Sequence, residues 1–312
     1  MKKVLVTGGA GFLGSHLCEY LLKKGCFVTC IDNLLTGSTK NISHLMDNKN
    51  FTFIKADVLN VSDLNLNLDF IFNLASPASP VDYQNHPEET ALTNSVGTYN
   101  LLKLAVKNKA KFLMASTSEI YGDPLEHPQK EDYWGNVNTF GVRSCYDESK
   151  RFSETLVYIF IQKYNLNARV VRIFNTYGPR MQKDDGRVIS NFINQAIEGK
   201  SITVYGKGEQ TRSFCYVSDL ISGIYKAMFE ENTKGEVFNL GNPEEYTVME
   251  LAKKIIKLTM SKSKIIYKPL PKDDPTKRCP DITKSKQILN WKPKIHLEEG
   301  LKKTIEYYKG IA

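Results

Sequence analysis

Short apolar runs alternate with helix-like patterns over the first half of the chain. Six of these runs are typical of buried strands, and each ends in polar residues: 2–7, 27–31, 51–54, 70–72, 111–114 and 170–173. Between most of them, apolar residues recur at helical spacing, most clearly at 88–107 and 146–164. Alternating strands and helices predict an α/β protein with a doubly wound parallel sheet.

The second half of the chain is less regular. After about Asn175 the elements become shorter and richer in Gly, Pro and Arg, and we predict a helix at 188–198, a strand at 202–204 and a helix at 217–229. The sequence therefore predicts a first domain at 1–174 and a smaller C-terminal, substrate-binding lobe at 175–312. The apolar run 236–240 could be a strand that returns to the first domain.

A glycine-rich turn, TGGAGFLG at residues 7–14, joins the first strand to the first helix. Glycines at this junction let the backbone approach a pyrophosphate, whose charge the free N–H groups at the helix start stabilise. Asp32 closes the second strand about 20 residues further on, where a carboxylate can bond both ribose hydroxyls of an adenosine. The pattern predicts a Rossmann sheet that binds a dinucleotide, with a ligand-free tight turn as the alternative.

The end of the second strand also indicates which dinucleotide is bound. Asp32 would repel a ribose phosphate and no arginine follows it immediately, so NAD is favoured over NADP. Asp57, at the end of the third strand, could contact the adenine amine. A role as a helix cap or turn residue explains Asp57 equally well.

Tyr146 and Lys150 are four residues apart and therefore lie on one face of a predicted helix. A lysine ammonium can lower the pKa of a phenol and prepare it as a general base. Two other Tyr/Lys pairs in the chain share this spacing, so the position of each pair in the fold must decide which one is catalytic. Tyr146 opens a helix after the fifth strand, and Thr117 lies just past the end of that strand, at the edge where open α/β sheets bind ligands.

A hydroxyl, a phenol and a lysine beside a nicotinamide can carry out hydride transfer. Ser118 and Glu119 follow Thr117 directly. We predict that Glu119 acts as a general acid or base in a dry cleft, although a carboxylate after a strand can also be only a helix cap.

Composition narrows the class of protein. Hydrophobic residues make up 41% and charged residues 24%, as in soluble globular chains, and no apolar run approaches the roughly 20 residues of a membrane span. The six cysteines and five histidines show no metal-ligand spacing, so we expect reduced thiols and no metal. With no signal-peptide pattern at the start, we expect a cytoplasmic protein without membrane contact.

Several longer motifs resemble one family. The chain is similar to the extended short-chain dehydrogenase/reductases that act on nucleotide sugars, and among them to the UDP-glucuronate decarboxylases. The resemblance runs from Val4 to about Tyr307, and its specific stretches are SPASP at 76–80, STSEIYGDP at 116–124, EDYWG at 131–135, CYDE at 145–148, FNTYGPR at 174–180 and QTRSF at 210–214. Departures from the family pattern are Val142, Ser149 and Cys279, where proline, glycine and lysine are usual.

The resemblance implies a role for each matching residue. Thr117, Tyr146 and Lys150 would form the hydride-transfer triad, and Ser118 and Glu119 would attend the decarboxylation. The expected cofactor contacts are Gly8, Gly11, Phe12, Leu13, Gly14, Asp32, Asn33, Asp57, Val58, Leu74, Tyr146 and Lys150. The expected substrate contacts are Pro77, Glu119, Tyr146, Asn175, Arg180, Arg187, Asn191, Tyr205, Arg212 and Arg278, with the arginines near the diphosphate or the sugar carboxylate.

The implied reaction is the NAD-dependent conversion of UDP-glucuronate to UDP-xylose. Oxidation at C4 gives a β-keto acid, which loses CO2 before the ketone is reduced again. A dTDP-glucose 4,6-dehydratase is a weaker alternative, because such enzymes carry an aspartate where this chain has Ser118, and a hydroxyl is a poor proton donor to a leaving group. A UDP-sugar 4-epimerase uses a similar triad and is a further alternative.

Two further interpretations assign the protein a binding role and no enzymatic activity. A nucleotide-binding sensor could keep this fold without chemistry, but the intact Thr117, Tyr146 and Lys150 disfavour it. The 42 Lys and Arg against 34 Asp and Glu leave a net charge of +8, largely in the C-terminal quarter. We attribute it to solubility and expect no nucleic-acid partner, because base-stacking aromatics are not interleaved with the lysines. The resemblance also implies a homodimer that pairs through the helices at 88–107 and 146–164.

Overall fold

The computed structural model describes residues 1–270 and 277–311. Its strands are β1 (Lys3–Thr7), β2 (Phe27–Asp32), β3 (Phe51–Lys55), β4 (Phe70–Asn73), β5 (Lys111–Thr117), β6 (Ala168–Ile173), β7 (Thr176–Tyr177), β8 (Ile202–Tyr205), β9 (Thr211–Ser213), β10 (Cys215–Tyr216), β11 (Val237–Leu240), β12 (Glu245–Thr247), β13 (Ile265–Lys268) and β14 (Lys277–Arg278). Its α-helices are α1 (Phe12–Lys23), α2 (Pro80–Asn85), α3 (Pro87–Leu92), α4 (Thr98–Asn108), α5 (Ser144–Tyr164), α6 (Val188–Ile197), α7 (Val217–Phe229), α8 (Val248–Thr259), α9 (Thr283–Leu289) and α10 (Leu297–Ile311).

The central sheet contains seven strands among the described residues, in the order β11-β6-β5-β4-β1-β2-β3. Every neighbouring pair in it is parallel. Strands β1, β2 and β3 follow one another toward one edge of the sheet, and β4 then pairs with the opposite side of β1. The order therefore reverses at β1 and β4, and such a reversal is where open α/β sheets bind ligands. The predicted doubly wound sheet is confirmed.

Helices cover both faces of this sheet. Alternate residues of β1 show it, because Val4 and Val6 belong to one hydrophobic cluster and Leu5 to another. Leu17 of α1 joins the first cluster, whereas Leu101 of α4 joins the second. Burial on both faces explains why the strands read as continuous apolar runs in the sequence.

Smaller sheets follow β6. Strand β9 pairs antiparallel with β12 and parallel with β14, β8 pairs with β13, and β7 pairs with β10. The apolar run at 236–240 forms β11, which pairs with β6 and so extends the central sheet. The division at residue 175 stays a prediction, and its second part includes residues 271–276 and 312, which lie outside the described residues.

The helix predicted at 88–107 is interrupted in the structure. A π-helical turn, Thr93–Gly97, separates α3 from α4. Asn94 in this turn donates a hydrogen bond from Nδ2 to Ser149 Oγ of α5 at 3.0 Å. The wider turn thus places a polar side chain against the helix that carries Tyr146. In the part of the chain that the structure describes, none of the helices is long and apolar enough to cross a bilayer.

Candidate active site

A cleft of about 740 Å³ opens at the carboxyl ends of the central strands. Residues of the sheet line one side of it, and residues from α6, β8, β9 and β14 line the other. The structure brings most of the predicted site residues to this cleft: Gly8, Gly11, Phe12, Leu13, Gly14, Asp32, Asn33, Val58, Leu74, Pro77, Thr117, Ser118, Glu119, Tyr146, Lys150, Asn175, Arg187, Asn191, Tyr205, Arg212 and Arg278.

Two predicted residues, Asp57 and Arg180, lie outside the lining of this cleft. Asp57 caps a 3-10 turn by accepting a hydrogen bond from Leu59 N–H at 2.9 Å, and its other oxygen accepts from Asn33 Nδ2 at 2.8 Å. Arg180 instead pairs with Glu19 of α1, with Nη2 and Oε2 2.5 Å apart. Asp57 thus caps this turn, while its contact with adenine stays a prediction, and Arg180 forms its ion pair outside the lining of the cleft.

The glycine turn has the shape that a pyrophosphate requires. Gly8 has φ +66°, and a Cβ there would lie 2.8 Å from Leu74 O. A Cβ at Gly14 would lie only 2.0 Å from Gly8 O, so the turn can close only with glycine at that position. Gly11 is the N-cap of α1 and has no side chain to cap it. The N–H groups of the first helical turn therefore remain available to phosphate oxygens.

Asp32 is fixed to this turn by backbone hydrogen bonds. Its Oδ2 accepts from Ala10 N–H at 3.0 Å and its Oδ1 accepts from Leu34 N–H at 2.8 Å. Burial raises the pKa of Asp32, and the hydrogen bonds from Leu34, Ala10 and Gly11 oppose that rise. Each carboxylate oxygen can accept a second bond, so Asp32 can still receive ribose hydroxyls. The residues present therefore fit an adenosine diphosphate group.

Tyr146 lies buried at the start of α5 and lines the cleft together with Thr117. Its ring stacks on Tyr83, with centroids 5.0 Å apart and planes inclined by 8°. Burial raises the pKa of Tyr146 to about 12, while the nearby Thr117 hydroxyl opposes the rise. We expected Lys150 to lower this pKa, but in the protein alone burial outweighs any such effect.

Lys150 lies one helical turn after Tyr146, and its Nζ donates to Ala115 O of β5 at 2.9 Å. The Nζ is 5.9 Å from the centre of the Tyr146 ring. Burial lowers the pKa of Lys150 to about 7, against an opposing effect of Glu154. Because its pKa is near neutrality, Lys150 can both give and take a proton under ordinary conditions.

Glu119 is held between two arginines. Arg143 Nη2 lies 2.5 Å from Glu119 Oε2, and Arg278 contacts both carboxylate oxygens, with Nη2 2.9 Å from Oε2. Burial alone would raise the pKa of Glu119, but Arg278 and Arg143 outweigh it and lower the pKa to about 2. In the protein alone the two arginines therefore hold Glu119 as a carboxylate, and its role as a general acid or base stays a prediction.

Ser118 lies between Thr117 and Glu119 in the 3-10 turn that follows β5, and its side chain is buried. Thr117 caps this turn by accepting a hydrogen bond from Glu119 N–H at 3.2 Å. The cap fixes the three consecutive side chains at the end of the strand. A serine hydroxyl stays protonated near neutral pH, so Ser118 can offer a hydrogen bond but not a strong acid.

The opposite side of the cleft is rich in arginine. Four arginines line the described part of the cleft, namely Arg143, Arg187, Arg212 and Arg278. Arg212 is buried and donates from Nη1 to Thr211 O at 2.9 Å, whereas Arg187 is half-buried beside Asp185. Guanidinium groups recognise carboxylates and phosphates through paired donors, so this side of the cleft suits an anionic ligand.

Three functional neighbours were missed by the sequence analysis. Arg143 precedes α5 by one residue, and the Arg in GVRS just before CYDE was the available signal. Asp147 follows Tyr146; its Oδ1 has no hydrogen-bond partner, and burial, then Glu119, raise its pKa to about 8. Tyr83, on α2, stacks on Tyr146 from a position that no sequence pattern indicates.

A dinucleotide turn at the switch point, together with a threonine at the end of β5 and a tyrosine and a lysine on α5, defines an extended short-chain dehydrogenase/reductase. Within that class, the family model described as GDP-mannose 4,6 dehydratase matches residues 5–304. The chain belongs to this family, and the predicted resemblance is confirmed.

Similar proteins carry related names. UDP-glucuronic acid decarboxylase 1 of Danio rerio is 51% identical over 307 residues, which cover 98% of this chain and 72% of that protein. A UDP-glucose 4-epimerase of Thermotoga maritima, solved with UDP-glucose, is 32% identical with a TM-score of 0.90 over 99% of each chain. A UDP-glucuronic acid 4-epimerase of Bacillus cereus, solved with UDP-glucuronic acid and NAD, is 30% identical with a TM-score of 0.91 over 99% of this chain and 100% of that chain.

Proposed function

We propose that the chain is an NAD-dependent decarboxylase that converts UDP-glucuronate to UDP-xylose. The observation that carries this proposal is that Thr117, Tyr146 and Lys150 meet in one cleft with Glu119 and Arg278. A relative 51% identical is named a UDP-glucuronic acid decarboxylase, and a structural neighbour binds UDP-glucuronic acid and NAD. Both comparisons support the substrate and the cofactor.

NAD would be held by the turn at 7–14 and by Asp32. Phe12, Leu13, Asn33, Val58 and Leu74 line the adjoining part of the cleft and would enclose the rest of the cofactor. When bound, NAD supplies an oxidant that takes a hydride from the sugar and a reductant that gives it back. The strands and helices of residues 1–174 would thus hold NAD, while residues 175–312 would supply most substrate contacts.

The first task of the protein is to remove the proton of the sugar 4-hydroxyl. Tyr146 must lose its own proton to act as this base, and its pKa of about 12 in the protein alone makes that step costly. The Thr117 hydroxyl and a protonated Lys150 both favour the ionised phenol. We propose that Lys150 shares the proton with Tyr146, because its own pKa is lowered to about 7.

Oxidation at C4 places a ketone one carbon away from the carbon that bears the carboxylate. The bond to CO2 then breaks readily, because its electron pair spreads onto the ketone oxygen. Tyr146 and Thr117 would donate hydrogen bonds to that oxygen as it becomes negative, which is the main way an enzyme can accelerate such a step. The enolate would then take a proton from water on carbon. The ketone would receive back the hydride removed at C4 and the proton taken up by Tyr146, which gives the pentose.

Glu119 would act by holding Arg278 and Arg143 in place. A substrate carboxylate entering the cleft would share these arginines with Glu119, and the negative charge of Glu119 would keep the carboxylate from being bound too tightly before it leaves as CO2. Ser118 would donate a hydrogen bond beside the same carbon. Arg187 and Arg212, with Asn175, Asn191, Tyr205 and Pro77, would bind the nucleoside diphosphate.

A second candidate reaction is 4-epimerisation, because two of the similar structures are epimerases. An epimerase must turn the keto sugar over within its pocket and keep the carboxylate. Only the decarboxylase reaction releases CO2, so the mass of the product distinguishes the two reactions. A 4,6-dehydratase is disfavoured by the buried Ser118, which cannot serve as the strong acid that expels a hydroxyl.

The test is the mass of the product formed from UDP-glucuronate and purified protein. The proposal expects a nucleotide sugar lighter by one CO2, matching UDP-xylose on chromatography, without added reductant. An unchanged mass with the retention of UDP-galacturonate would establish the epimerase instead. Accumulation of the 4-keto pentose would show that the final reduction is missing.

We also propose that the protein is a cytoplasmic homodimer. All six cysteines are free, as is usual in a reducing compartment.

Apolar side chains are exposed on the helices that we expect to pair in the homodimer, with Tyr99 of α4 at 44%, and Phe152 and Tyr158 of α5 at 51% and 63%. Light scattering should report twice the chain mass, and Tyr158→Glu should shift the protein toward monomer.

A further inference from the structure

A second group of chemically active side chains lies outside the cleft. His127, Glu245 and Cys279 come together on the far side of β9 and β14, and the atoms that could bind a metal lie within 4.8 Å of one another. His127 Nε2 and Glu245 Oε2 are 2.9 Å apart. None of the three belongs to the described lining of the cleft, and no step of the proposed reaction uses them.

Neighbouring groups hold two of these side chains in position. Glu245 Oε1 accepts a hydrogen bond from the Thr211 hydroxyl at 2.7 Å, which leaves Oε2 directed at His127. Cys279 is fixed through its backbone, because its N–H donates to Gln129 Oε1 at 2.9 Å and its carbonyl accepts from Gln129 N–H at 2.9 Å. Polar partners of this kind are what orient ligands around a protein-bound metal.

The three donor atoms differ in type, and the combination is selective. A thiolate sulfur, an imidazole nitrogen and a carboxylate oxygen are the ligands of Zn²⁺ sites, whereas Ca²⁺ and Mg²⁺ take oxygen ligands. Zn–ligand bonds of about 2.0–2.3 Å place tetrahedral donors roughly 3.3–3.8 Å apart. The three donor atoms already lie within 4.8 Å of one another, and on binding the ion the Cys279 thiol would give up its proton and its hydrogen bond to Pro243 O at 3.3 Å. His127 is about one-third exposed and can therefore turn toward the ion.

We propose that His127, Glu245 and Cys279 form a Zn²⁺ site with a fourth, open position for water. Cys279 is buried, and His127 and Glu245 are partly exposed, so the ion would enter from solvent and rest on the sulfur.

The proposed site adjoins two of the buried arginines of the cleft, Arg212 and Arg278. Cys279 directly follows Arg278, and Thr211, which holds Glu245, directly precedes Arg212. Strand β9 pairs with both β12 and β14, so an ion bound to Glu245 and Cys279 would link the two strands that flank β9. We expect the bound ion to raise the thermal stability of the protein, because it binds only the folded arrangement.

The experiment uses Co²⁺ as a spectroscopic probe, on full-length protein without a histidine tag and stripped of metals by a chelator. Titration should produce a thiolate-to-cobalt charge-transfer band at one equivalent, and Zn²⁺ should abolish it by displacement. The band should be absent in Cys279→Ala. In His127→Gln and Glu245→Gln the apparent affinity for Co²⁺ should fall at least tenfold. The matched controls Cys26→Ala and His296→Gln should titrate like the parent protein.

The proposal fails if the parent protein gives no charge-transfer band, or if Cys279→Ala retains it. It fails equally if His127→Gln and Glu245→Gln bind Co²⁺ with unchanged affinity, since the sulfur would then act without them. Should Cys279→Ala not fold, the two variants at the half-exposed positions still decide the question. None of these readouts depends on turnover, so the result stands whatever reaction the cleft performs.

Discussion

The glycine turn at 7–14 lines the cleft together with Glu119, Arg143 and Arg278, and these three residues form a charged cluster with Asp147. Different forces hold the turn and the cluster. Backbone contact fixes the turn, since a Cβ at Gly14 would lie 2.0 Å from Gly8 O. Ion pairs fix the cluster, since Glu119 has two buried arginines as partners. The turn is uncharged and should be insensitive to pH, whereas the cluster should respond to it.

This difference separates binding from chemistry. The turn can hold a cofactor only by shape and by N–H groups, so damage to it should appear in the affinity for NAD. The cluster meets the charges of the substrate, so damage to it should appear in stability and in the handling of the sugar. Substitutions in the two regions should therefore have effects that can be told apart.

The largest effect is expected at Tyr146, which lies between the two regions. Tyr146→Phe removes the proposed base and keeps the ring stacked on Tyr83, so kcat should fall by about 10²–10⁴-fold while the Kd for NAD stays within twofold. Turnover of UDP-glucuronate and NAD binding by calorimetry measure the two quantities.

Tyr83→Phe is the matched control, because it removes a hydroxyl on the stacked partner ring that has no hydrogen-bond partner in the protein. Its turnover should stay close to that of the parent protein. If Tyr146→Phe kept most of the activity, or if both variants lost it equally, Tyr146 would not be the base.

The next largest effect is expected in the charged cluster. Glu119→Gln leaves Arg143 and Arg278 buried without a carboxylate, and removing one partner from a buried ion pair costs about 3 kcal/mol of unfolding free energy. Denaturant unfolding measures this loss. Glu198→Gln is the control, because Glu198 pairs with Lys183 and Lys200 on the surface.

The comparison predicts a clear loss for Glu119→Gln and little change for Glu198→Gln. Equal stability of the two variants would show that the cluster is not held by charge. Normal turnover in Glu119→Gln, with intact folding, would remove Glu119 from the proposed reaction.

The fold could be predicted largely from the sequence, because most strands of the central sheet are buried on both faces and form short apolar runs in the sequence. Helix α7 was predicted with the observed bounds, Val217–Phe229. The short strands β9, β12 and β14 could not be predicted in this way. Their pairing depends on contacts between segments that are distant in the chain, and two or three residues carry no readable period.

The two halves of the site differ in the same way. The turn at 7–14 and Asp32 are a local pattern with a fixed spacing, and the structure assembles them as the sequence indicates. Arg278 came only from a resemblance, and the ion pairs that join Arg143, Glu119 and Arg278 depend on tertiary structure. The motif at 174–180 alone did not indicate the ion pair of Arg180, because nothing in the motif shows that Glu19 of α1 lies within reach.

A smaller effect is expected from the turn itself. Gly14→Ala forces a Cβ against Gly8 O, and relieving such overpacking costs about 1–3 kcal/mol. The Kd for NAD should therefore rise about 10–100-fold, by the same factor at pH 6 and pH 8. Gly310→Ala is the control, because a Cβ there meets no atom within 4 Å. An unchanged Kd in Gly14→Ala, or a change that depends on pH, would contradict the steric account.

A last effect is expected in the pH dependence of stability. Burial, and then Glu119, raise the pKa of Asp147 from 3.8 to about 8. The folded protein therefore binds this proton more tightly than the unfolded chain does, and Asp147 makes stability fall as pH rises from about 4 to 8. Asp147→Asn mimics the protonated acid and should remove this fall.

The Tm of Asp147→Asn, relative to the parent protein, should thus be higher at pH 8 than at pH 5. Glu119 does not contribute to this difference, because its pKa is lowered to about 2 and its stabilising charge is fully present from pH 5 upward. Lys150, whose pKa is lowered to about 7, makes stability rise with pH above that value in both proteins and cancels in the comparison. A Tm difference that stays constant between pH 5 and pH 8 would show that Asp147 is already ionised in the folded protein. The negative charge of the cluster would then be two rather than one, and Arg143 and Arg278 would be shared between two carboxylates.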